Sequence, residues 1–162
     1  MDKCVVVGID PGTEQSAYVE IEMPSWKVLQ HEIVQNDQLL GILDDGKLFP
    51  TPSRHHAIEM LASYGMAVGA EVFMTAVWIG RFLQALEGDA TLVYRREVKL
   101  ALCNSPRAND SNVRQALIDR YGPGKAKAIG LKASPGPLYG IRKDEWQALG
   151  VAVTHAIARG YE

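Results

Sequence analysis

A mixed α/β sheet of five strands with helices on its faces is the fold this sequence predicts. Three observations carry that reading. A continuous apolar run, Cys4-Val-Val-Val-Gly-Ile9, ends on Asp10-Pro-Gly12, the pattern of a strand buried on both faces and closed by a tight turn. Two further apolar segments follow at hairpin distance. The second half of the chain then interleaves short apolar runs with helical periodicities. The 162 residues suit one domain spanning 1–162, and 47% hydrophobic with 22% charged residues are ordinary proportions for a globular protein.

Residues 4–9 form the first strand. Ser16 to Met23 alternates and forms the second, and Trp26 to Val34 forms the third, with Met23-Pro-Ser-Trp26 as the hairpin turn. Asn36 to Thr51 reads as a short helix or loop, with Asp44-Asp-Gly46 as a turn. His55 to Met60 is a fourth strand carrying Glu59 near its end. Gly69 to Leu86 is the best helix: Val72, Ala76, Ile79, Leu83 and Leu86 recur at spacings of four and three and make one apolar stripe. Thr91 to Tyr94 is a fifth strand, and Arg95 to Leu102 and Ser111 to Arg120 are helical. Tyr121 to Gly140, rich in Gly, Pro and Lys, reads as a flexible loop before a last helix from Asp144 to Ala158.

Several classes of protein are disfavoured. No stretch approaches the 18 apolar residues of a membrane span, and the N-terminal run is too short and too soon interrupted for a secretory signal. Cys4 and Cys103 lack metal-ligand spacing, so a reduced cytoplasmic protein is expected. The net charge of -2 conceals a polarised chain. Thr91 to Lys143 holds eleven Lys and Arg against three acids, a net of +8, while the rest holds six against sixteen, a net of -10. Such a chain can present a basic face to nucleic-acid phosphates despite its acidic total.

Three carboxylates sit at the ends of elements that a mixed sheet can bring together: Asp10 after the first strand, Glu59 in the fourth, Asp144 at the last helix. Gathered, they would repel unless a cation neutralised them, and Mg²⁺ suits such oxygen ligands. Each also has a plainer reading. Asp10 can cap a turn and Glu59 can be an exposed strand residue. Asp144-Glu-Trp-Gln147 fits a capping box, with Glu145 favourable to the helix dipole.

Four stretches occur in a telling order: Gly8-Ile-Asp-Pro-Gly12, Ala57-Ile-Glu-Met60, Tyr94-Arg-Arg-Glu-Val-Lys99 and Ala148-Leu-Gly-Val-Ala-Val-Thr-His155. In that order the chain resembles the RuvC-type Holliday junction resolvases. Ser63-Tyr-Gly-Met-Ala-Val-Gly69, Glu71-Val-Phe73 and Trp78-Ile-Gly-Arg-Phe82 look like the phage and prophage branch of that family. The resemblance spans nearly the whole chain and is weakest over 24–53. It implies an RNase H-like fold and a homodimer acting on four-way branched DNA in recombination and repair. It implies Mg²⁺, two ions per site with Mn²⁺ able to substitute, and no small-molecule cofactor or membrane partner. The setting would be the cytoplasm of a bacterial or phage-infected cell. Water activated by the metal would attack the phosphodiester, giving paired nicks with 5′-phosphate and 3′-hydroxyl ends.

Asp10, Glu59 and Asp144 match three of the family's catalytic acids. The fourth acid is Gln147 here, a possible metal contact that carries no charge. Glu145 points about 100° away around the helix and is a poor substitute. Lys99 falls where the family has a functional lysine. A second family lysine aligns near Asp110, leaving Arg107 as the nearest candidate for its contact. Arg95, Arg96, Arg107 and Arg114 join Lys99 as expected contacts to backbone phosphates. The family's base-stacking aromatic is Ala62 here, and Tyr64 is the candidate to replace it. His55 and His56 are neighbours on a strand and face opposite ways, which argues against a metal pair. His155 is expected to be packed or half exposed. Trp78 and Phe82 are expected in the core or a dimer contact. Two other functions remain open at this point: a junction-binding module with weakened cleavage, and an RNase H-like RNA-processing nuclease. An actin-like or sugar-kinase ATPase shares the Gly-Ile-Asp-Pro-Gly-Thr13 opening but needs two such domains.

Overall fold

The computed structural model describes residues 2–46 and 53–161. Five strands form one sheet in the order β3-β2-β1-β4-β5. They are β1 (Cys4–Asp10), β2 (Gln15–Met23), β3 (Lys27–Gln35), β4 (Arg54–Met60) and β5 (Ala90–Tyr94). β1 pairs antiparallel with β2, and β2 with β3, whereas β4 runs parallel to both β1 and β5. β1 is therefore the middle strand. Both of its faces are covered, which is why its sequence is apolar without alternation.

Helices α1 (Asn36–Asp44) and α2 (Ala70–Ala85) cover one face, and α3 (Arg95–Cys103), α4 (Asp110–Tyr121) and α6 (Glu145–Ala158) cover the other. Side-chain alternation along β1 divides the core: Val5, Val7 and Ile9 meet Ile79 and Phe82 of α2, while Val6 packs with Leu149 and Ala152 of α6. Each such residue contributes on the order of 1.5–3 kcal/mol on burial. Helix α6 is apolar almost all round, and every residue from Ala148 to Ala156 is buried, since it lies between the sheet and α3 and α4. Gly8 lets it lie flush. A Cβ there would sit 2.2 Å from the Ala148 carbonyl oxygen and 2.6 Å from the Ala152 nitrogen.

Three readings are revised. The 121–140 segment is not a flexible loop. It folds into the short helix α5 (Lys125–Ala128) and the ribbon of β6 (Gly130–Leu131) and β7 (Ser134–Pro135), with Ala128 and Leu138 fully buried. Its glycines serve turns. Gly130 has φ +69, and a Cβ there would meet the Ser134 oxygen at 2.3 Å. The buried stripe of α2 is Thr75, Ile79 and Phe82, rotated from the expected line, and Ala76 faces out. Apolar residues occupy nearly every side of that helix, so spacing alone did not select the inner one. β3 begins at Lys27, because Trp26 adopts φ 61 within the turn. The short helix expected near Asn36 is α1, ending at Asp44, and 47–52 lie outside the described residues. No helix among the described residues is long and apolar enough to cross a membrane.

Candidate active site

Parallel pairing of β1 and β4 sets Ile9 beside Ile58, so Asp10 and Glu59 follow side by side at the carboxyl edge of the sheet. Each lies two residues on from a residue of the α6 face, Gly8 and Ala57, and so shares that face and points toward α6. Their carboxyls lie close enough for a side-chain hydrogen bond between them. Burial, then the neighbouring Glu59 and Asp144 charges, pushes the Asp10 carboxyl far above the carboxylate range. Burial raises Glu59 too, while the Arg95 guanidinium holds it down.

Asp144 is the residue before α6 and contributes to the field at both acids. It makes no capping hydrogen bond with its side chain, so the capping-box reading does not hold. Gln147 lies one turn on along the same face, and its Oε1 is buried with no hydrogen-bond partner. Glu145 is occupied elsewhere: His31 of β3 meets its Oε2 at 2.9 Å, and the Arg142 backbone N–H donates to the same oxygen at 2.8 Å. That clamp fixes the chain just before Asp144. The turn after Asp10 is held as firmly. Gly12 N–H donates to Ser16 Oγ at 3.2 Å, Ser16 donates to Asn36 Oδ1 at 2.5 Å, and Asn36 Nδ2 donates to the Gly12 carbonyl at 2.9 Å.

Among the described residues, no three His, Cys, Asp or Glu side chains close into a ready-made ligand cage. Mg²⁺ does not need one, since it takes one or two carboxylates and completes its shell with water and substrate phosphate. Two half-buried acids side by side, and an unpartnered buried amide oxygen one helical turn from Asp144, are a donor set that fits it.

Beside the acids, Tyr64, Arg95, Arg96 and Lys99 line an open recess of about 280 Å³ with Pro106. Tyr64 is 67% exposed at φ 50, the placement of a side chain free to stack. The other two expected contacts lie apart from this recess. Arg107 lines a separate one with Ser105, Asn112 and Asp119, and Arg114 packs its guanidinium 4.6 Å from the Trp146 ring centre. His56 is half-buried and His155 buried, and desolvation holds both down to about 4, as for packed histidines. Phe82 is in the core, and Trp78 packs against it under the Arg81 guanidinium. A larger recess, about 810 Å³ and lined by Trp26, Arg120, Tyr121 and Pro135, lies at the opposite end of β1 and contains none of the acids. Two site features escaped the sequence reading: the His31–Glu145 clamp and the Arg95–Asp110 ion pair. Only the acid standing where a lysine was expected hinted at the second.

The sheet order with helices on both faces is that of an RNase H-like α/β fold. Within that class the fold is the one seen in RuvC. The chain is similar to Thermus thermophilus RuvC in complex with Holliday junction substrate, with a TM-score of 0.66 and 20% identity over 96% of this chain and 94% of that one. It is similar to a second Thermus thermophilus RuvC structure, with a TM-score of 0.64 and 20% identity over 97% of each chain. No family model and no curated protein matches the sequence.

Proposed function

We propose that this protein is a Mg²⁺-dependent endonuclease that resolves four-way DNA junctions by paired nicks. The observation that supports the reading is that Asp10 and Glu59 stand side by side at one sheet edge, with Asp144 near enough for its charge to act on both, beside a basic recess and on a RuvC fold. Asp10, Glu59 and Asp144 would hold the ion, with Gln147 Oε1 as a neutral ligand. When bound, Mg²⁺ supplies a Lewis acid that lowers the cost of making a nucleophile from water and neutralises charge on the phosphate. The chain's own part is orientation. β1 and β4 hold Asp10 and Glu59 rigidly, the Ser16–Asn36 network keeps the following turn clear, and Arg96 and Lys99 lead the strand toward the acids.

Paired nicks need two sites related by a two-fold axis. Helix α2 offers the surface. Phe73, Met74 and Val77 are 64%, 48% and 55% exposed on the side away from its core stripe, with Met66 nearby in sequence at 73%. An apolar face of this kind is costly in water and matches the core of a homodimer interface. The chain would act as a single domain over 1–162 in the cytoplasm.

One observation favours a second reading, a junction-binding module with weakened cleavage: Gln147 brings no charge where an acid would strengthen metal binding. A labelled four-way junction compared with linear duplex of the same sequence separates the two. Symmetric nicks confined to the junction, and lost with EDTA or in Asp10→Asn, support the endonuclease. Selective binding without nicks supports the module, and no preference for the junction refutes both.

A further inference from the structure

The charge pattern groups Arg95 with Arg96 and Lys99 as a contact to flanking phosphates, but the structure sets it apart from them. Arg95 is the first residue of α3, directly after β5, and the parallel register places Val93 beside Glu59 and Tyr94 beside Met60. Its guanidinium therefore comes within the field of the acids, and its charge acts on both Asp10 and Glu59. Asp110, at the start of α4, accepts from Nη2. The other terminal nitrogen, Nη1, is buried and donates to nothing. The side chain is 23% exposed, against 70% for its partner Asp110. Arg96, in contrast, faces solvent.

A buried charged N–H without an acceptor is an unmet demand, and here it belongs to a guanidinium that lines the open recess and acts on both acids. A guanidinium is a planar fork able to serve two oxygen partners in fixed directions. One side of this fork is already anchored.

We propose that Arg95 is a catalytic residue: Nη1 donates to a non-bridging oxygen of the scissile phosphate, with Asp110 holding the guanidinium in place. This rests on the endonuclease reading above. In that hydrolysis the water oxygen bonds to phosphorus and the bond from phosphorus to the 3′ oxygen breaks. The water gives up a proton, the departing 3′ oxygen takes one, and a 5′-phosphate and a 3′-hydroxyl result. Negative charge grows on the non-bridging oxygens midway, so a donor fixed there binds the transition state more tightly than the ground state. Asp110 is a positioning residue in this scheme, and its place where a lysine was expected becomes intelligible.

The test separates binding from chemistry. Junction dissociation constants and single-turnover cleavage rates at saturating protein are measured for wild type, Arg95→Ala, Arg95→Lys, Asp110→Asn and Lys99→Ala. Arg95→Ala is expected to lose about 100-fold or more in saturated rate with binding changed less than threefold. Arg95→Lys should recover part of the rate, added guanidinium ion should partly rescue Arg95→Ala, and Asp110→Asn should lose about tenfold by analogy with other positioning defects. Lys99→Ala should weaken binding by a larger factor than Arg95→Ala does. Weakened binding with an unchanged saturated rate in Arg95→Ala would overturn the proposal and return Arg95 to the flanking contacts, leaving the endonuclease reading intact. Wild type that cleaves no junction would remove that reading and this inference together. Asp110→Asn, altered at an exposed side chain, keeps the test open should Arg95→Ala fail to fold: a normal rate in it refutes the anchoring role.

Discussion

Replacing Gly8 by alanine asks whether the contact between β1 and α6 sets the active site. The added Cβ would fall 2.2 Å from the Ala148 carbonyl oxygen, 2.6 Å from the Ala152 nitrogen and 2.8 Å from the Ala152 Cβ, where ordinary contact begins near 3.4 Å. Two of those atoms are backbone, so no rotamer change relieves the overlap, and α6 must retreat by about 1 Å as a body. Overpacking of this kind costs about 1–3 kcal/mol. The same displacement carries Asp144 and Gln147 away from Asp10, and a misplacement of about 1 Å at a reacting centre costs on the order of 100-fold in rate. Urea denaturation gives the first quantity and single-turnover junction cleavage the second. Gly41→Ala on α1 is the control: nothing lies within 4 Å of its Cβ, so it should gain up to about 1 kcal/mol and leave cleavage unchanged. A Gly8→Ala protein with the wild-type midpoint and rate would refute the claim that this contact positions the site.

Other outcomes follow from the same geometry. Glu20 is fully buried without a hydrogen-bond partner, and burial raises its pKa to about 7 against a weaker opposing pull from Arg54. Its folded value thus exceeds its unfolded one, so its contribution is complete below about pH 4.5 and is lost as pH rises to about 7. The fall should be on the order of 3 kcal/mol at roughly 1.4 kcal/mol per pH unit, and Glu20→Gln should flatten it, whereas parallel wild-type and variant curves over pH 5–7 would contradict this. Arg96→Ala should lower the slope of log binding constant against log salt by about 0.9, the value for one phosphate contact, and an unchanged slope would remove it from the DNA interface. Phe73→Glu with Val77→Glu should yield a folded monomer at micromolar concentration by light scattering, while a persisting dimer would place the interface elsewhere. His31→Ala should leave the sheet folded but slow cleavage by loosening the turn before Asp144, and an unaltered rate would show that the clamp is only structural.

How much of this was legible in the sequence depended on the range of the interaction responsible. The apolar run of β1 announces a doubly covered strand, because burial on both faces removes alternation, and Asp10 follows at its end by chain continuity. The strand-helix order on the second half of the chain was legible for the same local reason. The inner face of α2 was not, because Phe73, Met74 and Val77 are as apolar as Ile79 and Phe82, and only the finished fold leaves the first set outside. The 121–140 segment misled because glycine and proline mark turns as readily as freedom. The His31–Glu145 contact joins residues 114 apart, and no local pattern registers a partner at that distance. Asp144 illustrates the opposite hazard: a good capping-box spacing existed, and the backbone at αR angles made no use of it.

The clamp between His31 and Glu145 has a mechanical consequence. β3 is an outer strand, the part of a sheet that opens most readily, yet it grips the first turn of the most deeply buried helix. Local opening of that edge therefore releases the segment carrying Asp144, while Asp10 and Glu59 stay on the inner strands. The acids thus belong to regions of unequal permanence, two on a lasting frame and one on a leaf hinged to the sheet margin. Amide exchange at the start of α6 should keep pace with exchange along β3 and run ahead of β1.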